Sequence, residues 1–444
     1  MQHVLVLGAG MVSSPLVKYL LSHEIKVTLA DMEIGKAKKV LKDHPNGTAI
    51  QFNASEPEMF DKYVPEVDLV VSLLPYSFHA KVLDYCIKYG KNMVTTSYLK
   101  PYMLELEPQI KEAGIIMLNE VGVDPGIDHM SAMRIINKIH KNGGSIKDFY
   151  SFCGALPAPE AANNPFKYRF SWSPWGVLMA VNNPATYLQN NKQINISAAD
   201  LFKDSRLVEF NGLGEMEVYP NRNSLEYIDI YNIPEAETVL RGTIRYQGWS
   251  EIIDGMKSLK LFDEVEVNMK GKTFADFSAY LIGEQNSENI KARLAAYLNL
   301  DTDSKLLSAL EYIGLFSDEL ITKGKSTHFD LVADLMIDKL ILYRSERDMV
   351  VMQHVFSYVD KDNQAHILKS KMKEFGDTQA TAVARTVALP AAIACRMILE
   401  GKINLSGVFI PTIPEIYEPI LNELELMGIR LDEEIDPRFL GISS

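Results

Sequence analysis

A chain of 444 residues, 47% of them hydrophobic and 23% charged, has the composition of a globular protein with two or three domains. The formal net charge of −13 argues against nucleic acid and anionic membrane surfaces as partners, because phosphate groups select basic surfaces. The three cysteines are too few and too scattered for a disulfide framework or a metal site. We therefore expect a reducing compartment and no metal.

The N-terminus and the apolar runs bear on where the protein resides. The first apolar run begins at His3, which leaves no room for a signal or transit peptide. No apolar run reaches the roughly twenty residues that are needed to cross a bilayer. We expect a cytoplasmic protein that has no membrane partner.

The start of the chain predicts a strand, a glycine turn, a helix and a second strand. The apolar run His3–Leu7 leads into Gly8-Ala9-Gly10-Met11-Val12, and the next apolar run ends on Asp31. In such a turn the first glycine allows a tight bend, the second leaves room for phosphates, and the helix beginning near Met11 presents unpaired N–H groups. Ser13 replaces the usual third glycine and is small enough for close packing of helix and strand. The pattern predicts a dinucleotide-binding Rossmann unit.

Asp31 also indicates which dinucleotide is bound. An acid at the end of the second strand suits a ribose 2′-hydroxyl and repels a 2′-phosphate, and the residues from Met32 to Gly35 supply no arginine. We therefore expect NAD rather than NADP. Lys36, Lys38 and Lys39 lie close enough to weaken this expectation, although they fit a solvated helix face.

Alternating helices and strands continue as far as residue 119. The predicted strands are 48–52, 68–72, 92–96 and 115–119, and the predicted helices are 33–42, 56–63, 77–89 and 102–113. Such alternation predicts an α/β fold with a doubly wound parallel sheet, whose ligands bind at the carboxyl ends of the strands. Those ends carry Gly8, Asp31, Asn53, the run Leu73, Leu74 and Pro75, the run 96–98 and the run 120–128.

From about Ser145 the pattern changes to longer polar strands with more aromatic residues. Strands are predicted at 146–152, 237–246 and 263–267, a hairpin at 349–358 and 366–372, and a helical insertion at 286–325. A long apolar helix is expected over 378–400, and strand-like runs at 407–411 and 429–431 suggest a return to the first domain. The predicted domains are 1–128, 129–385 and 386–444.

A loop rich in acids and glycines follows the sixth predicted strand. It contains Glu120, Asp124, Pro125, Asp128 and His129. Pro125 just inside a helix with Asp124 before it is typical of an N-cap, and the same arrangement can hold a carboxylate near a nicotinamide. Position favours Asp124 as a functional residue over the other two acids and the histidine.

Hydroxyls and arginines supply further candidates. Ser97 and Tyr98 follow the fifth predicted strand, where hydroxyls can bind a substrate carboxylate or a ribose, although ordinary loop chemistry also uses them. Arg222, Arg241 and Arg245 lie among turn formers and aromatic residues in the second domain. An arginine can bind a carboxylate through two parallel hydrogen bonds, but in so acidic a chain it can equally form structural ion pairs.

Several separate motifs together resemble one family. They are Gly122-Val123-Asp124-Pro125-Gly126-Ile127-Asp128-His129, Ser151-Phe152-Cys153-Gly154-Ala155-Leu156-Pro157-Ala158-Pro159-Glu160, Phe170-Ser171-Trp172-Ser173, Tyr219-Pro220-Asn221-Arg222 and Glu346-Arg347-Asp348-Met349-Val350. In this order they resemble saccharopine dehydrogenase of the glutamate-forming type, over nearly the whole chain. The resemblance implies a Rossmann domain completed by the C-terminal segment, a second mixed-sheet α/β domain, a small helical part and a homodimer.

The resemblance also implies a reaction and its residues. Saccharopine is interconverted with glutamate and 2-aminoadipate 6-semialdehyde in lysine metabolism, with a nicotinamide cofactor. Matching positions imply cofactor contacts from Ala9, Met11, Val12, Asp31, Leu73 to Pro75, Gly122, Val123, Gly126, Ile127 and His129, and substrate contacts from Ser97, Tyr98, Asp124, Arg222, Thr243, Ile244 and Arg245. Asp31-Met32 resembles the members that use NAD, and Trp175 replaces an arginine of some relatives.

In this mechanism the cofactor supplies the hydride, while the protein supplies orientation and electrostatics. Oxidation requires a neutral secondary amine, so a base must accept a proton. Asp124 and Tyr98 are the predicted catalytic residues, although an ordinary tyrosine with a pKa of about 10 is a poor base at neutral pH. His129 and solvent are alternatives, and Cys153 fits a packed strand residue better than a nucleophile.

Two other functions fit parts of the pattern. A carboxynorspermidine dehydrogenase has the same chemistry, but its diamine substrate calls for more acids and fewer arginines. Arg222 and Arg245 therefore favour saccharopine, which carries three carboxylates. A noncatalytic NAD-sensing or scaffold protein with the same fold binds NADH without turnover.

Overall fold

The computed structural model describes residues 1–210 and 212–436. Its contacts divide the chain into two compact units, Met1–Ile146 together with the described residues from Ser357 onward, and Lys147–Phe356. These limits differ from the predicted boundaries at 128/129 and 385/386.

The elements are numbered in chain order. From the N-terminus they are β1 His3–Leu7, α1 Ser13–Ser22, β2 Lys26–Asp31, α2 Ile34–Leu41, β3 Gly47–Gln51, α3 Pro57–Tyr63, β4 Leu69–Ser72, α4 His79–Tyr89, β5 Asn92–Thr95, α5 Pro101–Glu105, α6 Glu107–Glu112, β6 Ile116–Leu118 and α7 Ile127–Lys141. The middle of the chain forms β7 Ser145–Pro157, α8 Pro174–Ala180, β8 Ala185–Gln189, β9 Lys192–Ile196, β10 Arg206–Phe210, β11 Gly214–Pro220, α9 Glu226–Ile230, β12 Thr238–Arg245, α10 Trp249–Ser258, β13 Glu266–Asn268, α11 Phe274–Leu281, α12 Ile290–Leu298, α13 Lys305–Ile313, β14 Lys325–Thr327, α14 His328–Lys339 and β15 Asp348–Val359. The last elements are β16 Ala365–Phe375, α15 Ala382–Leu399, β17 Gly407–Phe409, α16 Pro414–Leu426 and β18 Asp432–Asp436.

The first unit is built on a seven-stranded sheet with the order β17-β6-β5-β4-β1-β2-β3. Every neighbouring pair in it is parallel, and β1 pairs with both β2 and β4. Residues Val4–Leu7 and Leu69–Ser72 are fully buried, as expected for strands that helices cover on both faces. The predicted doubly wound parallel sheet is confirmed.

The C-terminal part completes this sheet. Strand β17 pairs in parallel with β6, with Gly407 opposite Ile116, so the predicted return of the chain is confirmed. Helix α15 is long and apolar enough to cross a membrane by length and composition alone, but 78% of it is buried inside the protein, as in a core helix. The predicted strand at 429–431 is wrong, because β18 begins only at Asp432.

The second unit contains most of a nine-stranded mixed sheet. Its strands follow the order β10-β11-β12-β7-β15, with β8 pairing with β12 and β9, while β16 and β18 belong to the first unit. Strand β12 is parallel to β7 and antiparallel to β11. The predicted mixed sheet is confirmed, and the helices of the predicted insertion are α12 and α13, preceded by α11.

Candidate active site

The glycine turn after β1 packs against the end of β4. Gly8 has φ +106°, and its N–H donates to the Ala30 carbonyl at 2.8 Å. A Cβ at Gly8 would lie 3.0 Å from the carbonyl oxygen of Leu73. Both the left-handed backbone and this close approach require glycine.

The start of α1 is open to an anion. A Cβ added at Gly10 would meet nothing within 4 Å, and among the described residues no side chain caps the first turn of α1. Ser13 is fully buried, and its hydroxyl donates to the Gly10 carbonyl at 2.8 Å. Serine therefore fits where the third glycine is usual, and it also ties the turn to the helix. These residues fit the pyrophosphate of a dinucleotide.

Asp31, at the end of β2, holds the turn. Its Oδ2 accepts the Ala9 N–H at 2.9 Å, and its Oδ1 accepts the Glu33 N–H at 2.9 Å. Each carboxylate oxygen thus accepts one N–H of the protein's own backbone. Asp31 therefore stabilises the fold of the turn, and its contact with a ribose stays a prediction.

We expect Asp31→Asn to destabilise the protein by about 1–3 kcal/mol, because the amide has one acceptor oxygen and must turn its NH₂ toward one of the two N–H groups. Denaturant unfolding measures this change. Glu33→Gln is the matched control, since the Glu33 carboxylate is an exposed acid beside the same turn. Equal stability of Asp31→Asn and the wild type would show that the carboxylate does not hold the turn.

The other predicted strand ends have different environments. Asn53, after β3, accepts the Ser55 N–H at 3.0 Å and donates to Glu56 at 2.8 Å, so its amide stabilises the start of α3. Leu73 and Leu74 are partly exposed and Pro75 is exposed. A cofactor contact from any of them stays a prediction.

A buried histidine joins the ends of β4 and β5. The Nδ1 atom of His79 lies 2.9 Å from Ser72 Oγ, and its Nε2 lies 2.8 Å from Ser97 Oγ and 3.4 Å from Thr95 Oγ1. His79 is 1% exposed, and burial lowers its pKa to about 4. The ring is therefore neutral at physiological pH.

This lowered pKa makes stability depend on pH. Between the ordinary pKa of 6.5 and about 4 the unfolded chain binds a proton at His79 and the folded chain does not, so this contribution is lost as the pH falls through that window. The full difference is about 3 kcal/mol. We expect the stability loss between pH 6.5 and 4 to be smaller in His79→Gln than in the wild type, measured by urea unfolding across that range. Parallel pH profiles of the two proteins would contradict the assignment.

Tyr98 and Asp124 lie together. The Tyr98 hydroxyl donates to Asp124 Oδ1 at 3.4 Å, and both side chains are partly exposed. Helix α7 begins at Ile127 with Gly126 as its N-cap. Asp124 is therefore not the cap, and the structural alternative raised by the sequence is wrong.

The acids on either side of Asp124 have structural tasks. Oδ1 of Asp128 accepts the N–H groups of Gly126 at 2.6 Å and His129 at 2.8 Å. Glu120 accepts the Leu99 N–H at 2.7 Å, and its other oxygen lies 2.7 Å from His129 Nε2. Both members of the Glu120 and His129 pair are buried. They tie the loop after β5 to the start of α7, which fixes the backbone around Asp124.

The loop itself closes on two glycines. The Gly122 N–H donates to the Pro125 carbonyl at 3.0 Å, and the Ile127 N–H donates to the Gly122 carbonyl at 2.9 Å. Gly126 has φ +147°, and a Cβ there would lie 2.1 Å from the Gly122 oxygen. Val123 is partly exposed beside Asp124. The compact loop leaves Asp124 as its accessible acid.

In the second unit, Arg245 lies among aromatic rings at the end of β12. The residue is 6% exposed, and its guanidinium lies 5.0 Å from the Tyr168 ring, 5.3 Å from Trp249 and 6.0 Å from Tyr219. Its Nη1 donates to the Ile244 carbonyl at 2.8 Å. Within the described residues no acid pairs with it, and its Nε has no hydrogen-bond partner.

The acid opposite Arg245 is occupied elsewhere. Glu217 faces Arg245 in the β11–β12 register, but its carboxylate accepts the Gly248 N–H at 2.6 Å and the Ser250 N–H at 2.9 Å. Glu217 thus caps α10 instead of neutralising the guanidinium. A buried guanidinium that has no acid is suited to bind an external carboxylate.

The remaining predicted residues of this unit differ in exposure. Thr243 is partly exposed, Ile244 is buried within β12, and Arg222 is exposed just after β11 with φ +55°. Arg241, by contrast, is buried and its Nη1 donates to the Tyr227 hydroxyl at 2.5 Å. Trp175 is 44% exposed.

Each unit brings some of the predicted residues together. In the first, the glycine turn meets Asp31, Tyr98 meets Asp124, and Glu120 meets His129; in the second, Thr243 to Arg245 follow one another along β12. Sequence reasoning missed His79, for which the signal is a polar residue ending a buried strand with a histidine in the next helix. It also gave no role to Asn119, whose fully buried amide has no partner among the described residues.

The parallel sheet, the glycine turn and the uncapped first turn of α1 define a dinucleotide-binding α/β protein. Residues 4–118 match the saccharopine dehydrogenase NADP binding domain, and residues 122–429 match the saccharopine dehydrogenase C-terminal domain. The chain belongs to the saccharopine dehydrogenase family. The resemblance drawn from its motifs is confirmed.

Three relatives show the extent of the match. Saccharopine dehydrogenase [NADP(+), L-glutamate-forming] of Schizosaccharomyces pombe is 37% identical over 98% of this chain and 99% of its own length. The mitochondrial alpha-aminoadipic semialdehyde synthase of Bos taurus is 38% identical over 96% of this chain but only 47% of its own length. The apo structure of saccharopine dehydrogenase (L-Glu forming) from Saccharomyces cerevisiae has a TM-score of 0.92 and 35% identity, over 98% of this chain and 100% of that one.

These relatives correct the expected cofactor. The S. pombe enzyme and its S. cerevisiae counterpart are named as NADP(+) enzymes, and the matching N-terminal domain is an NADP binding domain. The expectation of NAD preference is therefore wrong. It rested on the charge of Asp31 and on the missing arginine. In the structure that carboxylate accepts two backbone N–H groups of the turn, and a lysine, Lys36, follows on α2.

Proposed function

We propose that this protein is an oxidoreductase that interconverts saccharopine with L-glutamate and 2-aminoadipate 6-semialdehyde. The observation that carries the proposal is the match over nearly the full length of both chains to relatives named for this activity. None of the relatives described above is named as a carboxynorspermidine dehydrogenase, which was the alternative with the same chemistry. Arg222 and Arg245 also fit a substrate that carries three carboxylates.

We propose NADP as the cofactor. The glycine turn and the first turn of α1 fit its pyrophosphate. Past Asp31 the first cation is Lys36, on the first turn of α2, with its ammonium 2.6 Å from Glu33 Oε1. Lys36 is our candidate partner for the 2′-phosphate.

In the proposed reaction each of the site residues has a separate role. When bound, the nicotinamide supplies the hydride chemistry. Asp124 accepts the proton from the substrate amine, and the Tyr98 hydroxyl, which donates to Asp124 Oδ1, orients that carboxylate. Glu120 and His129 hold the loop backbone, and Arg245 binds a substrate carboxylate.

An absorbance assay at about 340 nm tests the proposal. Purified protein is given 2-aminoadipate semialdehyde and glutamate with NADPH or with NADH, and a second pair, aspartate semialdehyde and diaminopropane, is the matched control. We expect oxidation of NADPH with the first pair and a slower rate with NADH. No oxidation with the first pair would reject the activity, and faster oxidation of NADH would reject the cofactor.

We also propose that the protein is a cytoplasmic homodimer that binds neither nucleic acid nor membrane. The support is the family resemblance for the dimer, the net charge of −13 against nucleic acid and membrane, and the three free cysteines for a reducing compartment. Light scattering coupled to size-exclusion chromatography measures the mass in solution. A mass close to 49.9 kDa would indicate a monomer and reject the dimer.

A further inference from the structure

The hydrogen bonds around His79 have one consistent direction. The Thr95 hydroxyl donates to the Ser72 carbonyl at 2.9 Å and accepts the Ser97 N–H at 3.3 Å. Having donated its proton, Thr95 Oγ1 can only accept from His79 Nε2, which lies 3.4 Å away. A lone pair on Nε2 would face this oxygen unfavourably, so Nε2 carries the proton.

The rest of the chain of bonds follows from that proton. His79 Nε2–H donates to Ser97 Oγ at 2.8 Å, and Nδ1 accepts from the Ser72 hydroxyl at 2.9 Å. Ser72 and Thr95 are fully buried, whereas Ser97 is partly exposed. Because Ser97 Oγ accepts from the imidazole, its own hydrogen remains available to an outside acceptor.

We propose that His79 is a positioning residue that fixes Ser97 as a hydrogen-bond donor to a carboxylate or carbonyl oxygen of the ligand. The inference rests on the proposed function, in which Ser97 contacts the substrate. The opposite tautomer would make Ser97 donate to His79 and would leave only its lone pairs for the ligand, which favours an ammonium group instead. The buried ring therefore selects the kind of group that Ser97 binds.

Two substitutions of His79 separate its two bonds. Glutamine reaches the position of Nε2 and can donate to Ser97, whereas asparagine reaches only the position of Nδ1 and can accept from Ser72. We expect His79→Asn to raise KM for the amino-acid substrate roughly tenfold or more, as Ser97→Ala does, and His79→Gln to restore most of the loss. The Kd for NADPH and kcat should change much less in all three variants.

A double-mutant cycle shows whether His79 acts through Ser97. We expect the double variant His79→Asn/Ser97→Ala to have the KM of Ser97→Ala alone, because the first change removes only the orientation of a hydroxyl that is already absent. Effects that multiply, or a wild-type KM in His79→Asn, would overturn the proposal. A merely structural role would lower stability in both His79 variants without this pattern.

A measurement without substrate keeps the inference separate from the proposed function. Nitrogen NMR of protein labelled on its nine histidines reports which ring nitrogen carries the proton, and His79→Gln identifies the signal. We expect a neutral ring protonated at Nε2. A ring protonated at Nδ1 would overturn the proposal even in an active enzyme. An inactive wild type with a proton on Nε2 would reject the activity but support the orientation of Ser97.

Discussion

Replacing Arg245 with methionine should lower kcat/KM for the amino-acid substrate by about 100-fold or more, without a matching loss of stability. A contact between a buried guanidinium and a substrate carboxylate is worth several kcal/mol, because losing one charge leaves the other desolvated and unpaired. In the free protein, Arg245 is 6% exposed and no described acid neutralises it. Removing it therefore relieves a desolvation cost.

A large loss of kcat/KM with little loss of stability is what we expect from a residue that binds the substrate. Methionine keeps apolar contact with the Tyr168 and Trp249 rings, so we expect the free energy of unfolding to fall by no more than about 1 kcal/mol. Activity is measured with saccharopine at saturating NADP, and stability by urea unfolding. The Kd for the cofactor should not change.

Arg206 offers a matched control. Its guanidinium lies 5.5 Å from the Tyr187 ring in the same sheet, and its Nη2 donates to the Tyr187 hydroxyl at 2.9 Å. Unlike Arg245, it has an acid nearby, Asp204 at 3.8 Å. Arg206→Met should leave kcat/KM unchanged. A wild-type kcat/KM in Arg245→Met would remove that guanidinium from the substrate site.

The sequence predicts those parts of the fold that local pattern determines. Buried strands such as β1 and β4 are short apolar runs between helices, so the parallel sheet is visible in the sequence. Strands β9 and β10 were not predicted, because both are short and only Phe210 among their residues is buried, so no buried apolar face marks them in the sequence. The packing of α7 against α16 is equally hidden in the sequence. Arg134 donates to Asn422 at 2.9 Å, although the two residues are 288 positions apart along the chain.

The same limit applies to the site. The glycine turn can be predicted because its residues are adjacent in the sequence. Arg245, at the end of β12, can be predicted because it is a cation among aromatic residues in the sequence. The two hydrogen bonds from backbone N–H groups to Asp31 cannot be predicted in this way. The sequence therefore suggests only a role in cofactor choice for this residue. The bond between His79 and Ser97 is also invisible, because it joins the start of a helix to the end of a different strand.

Asp124→Asn should lower kcat by about 100-fold to 10,000-fold while leaving the Kd for NADPH nearly unchanged, because a general base contributes to the proton transfer and not to dinucleotide binding. The amide keeps the size of the side chain and an oxygen that can accept the Tyr98 hydroxyl, 3.4 Å away in the wild type. The loop backbone is also held by Gly122, Gly126, Asp128 and the Glu120 and His129 pair, none of which changes in this variant. Unfolding curves should therefore match the wild type.

The pH dependence of kcat in Asp124→Asn and Tyr98→Phe shows which of the two residues is the base and which one orients it. If Asp124 accepts the proton, the acidic limb of the kcat profile for saccharopine oxidation should disappear in Asp124→Asn, because that limb reports protonation of the base. Tyr98→Phe should keep the limb and lose less activity, since the hydroxyl only orients the carboxylate. An unchanged acidic limb in Asp124→Asn would show that Asp124 is not the base. Solvent would then be the proton acceptor, because the alternative, His129, is fully buried against Glu120.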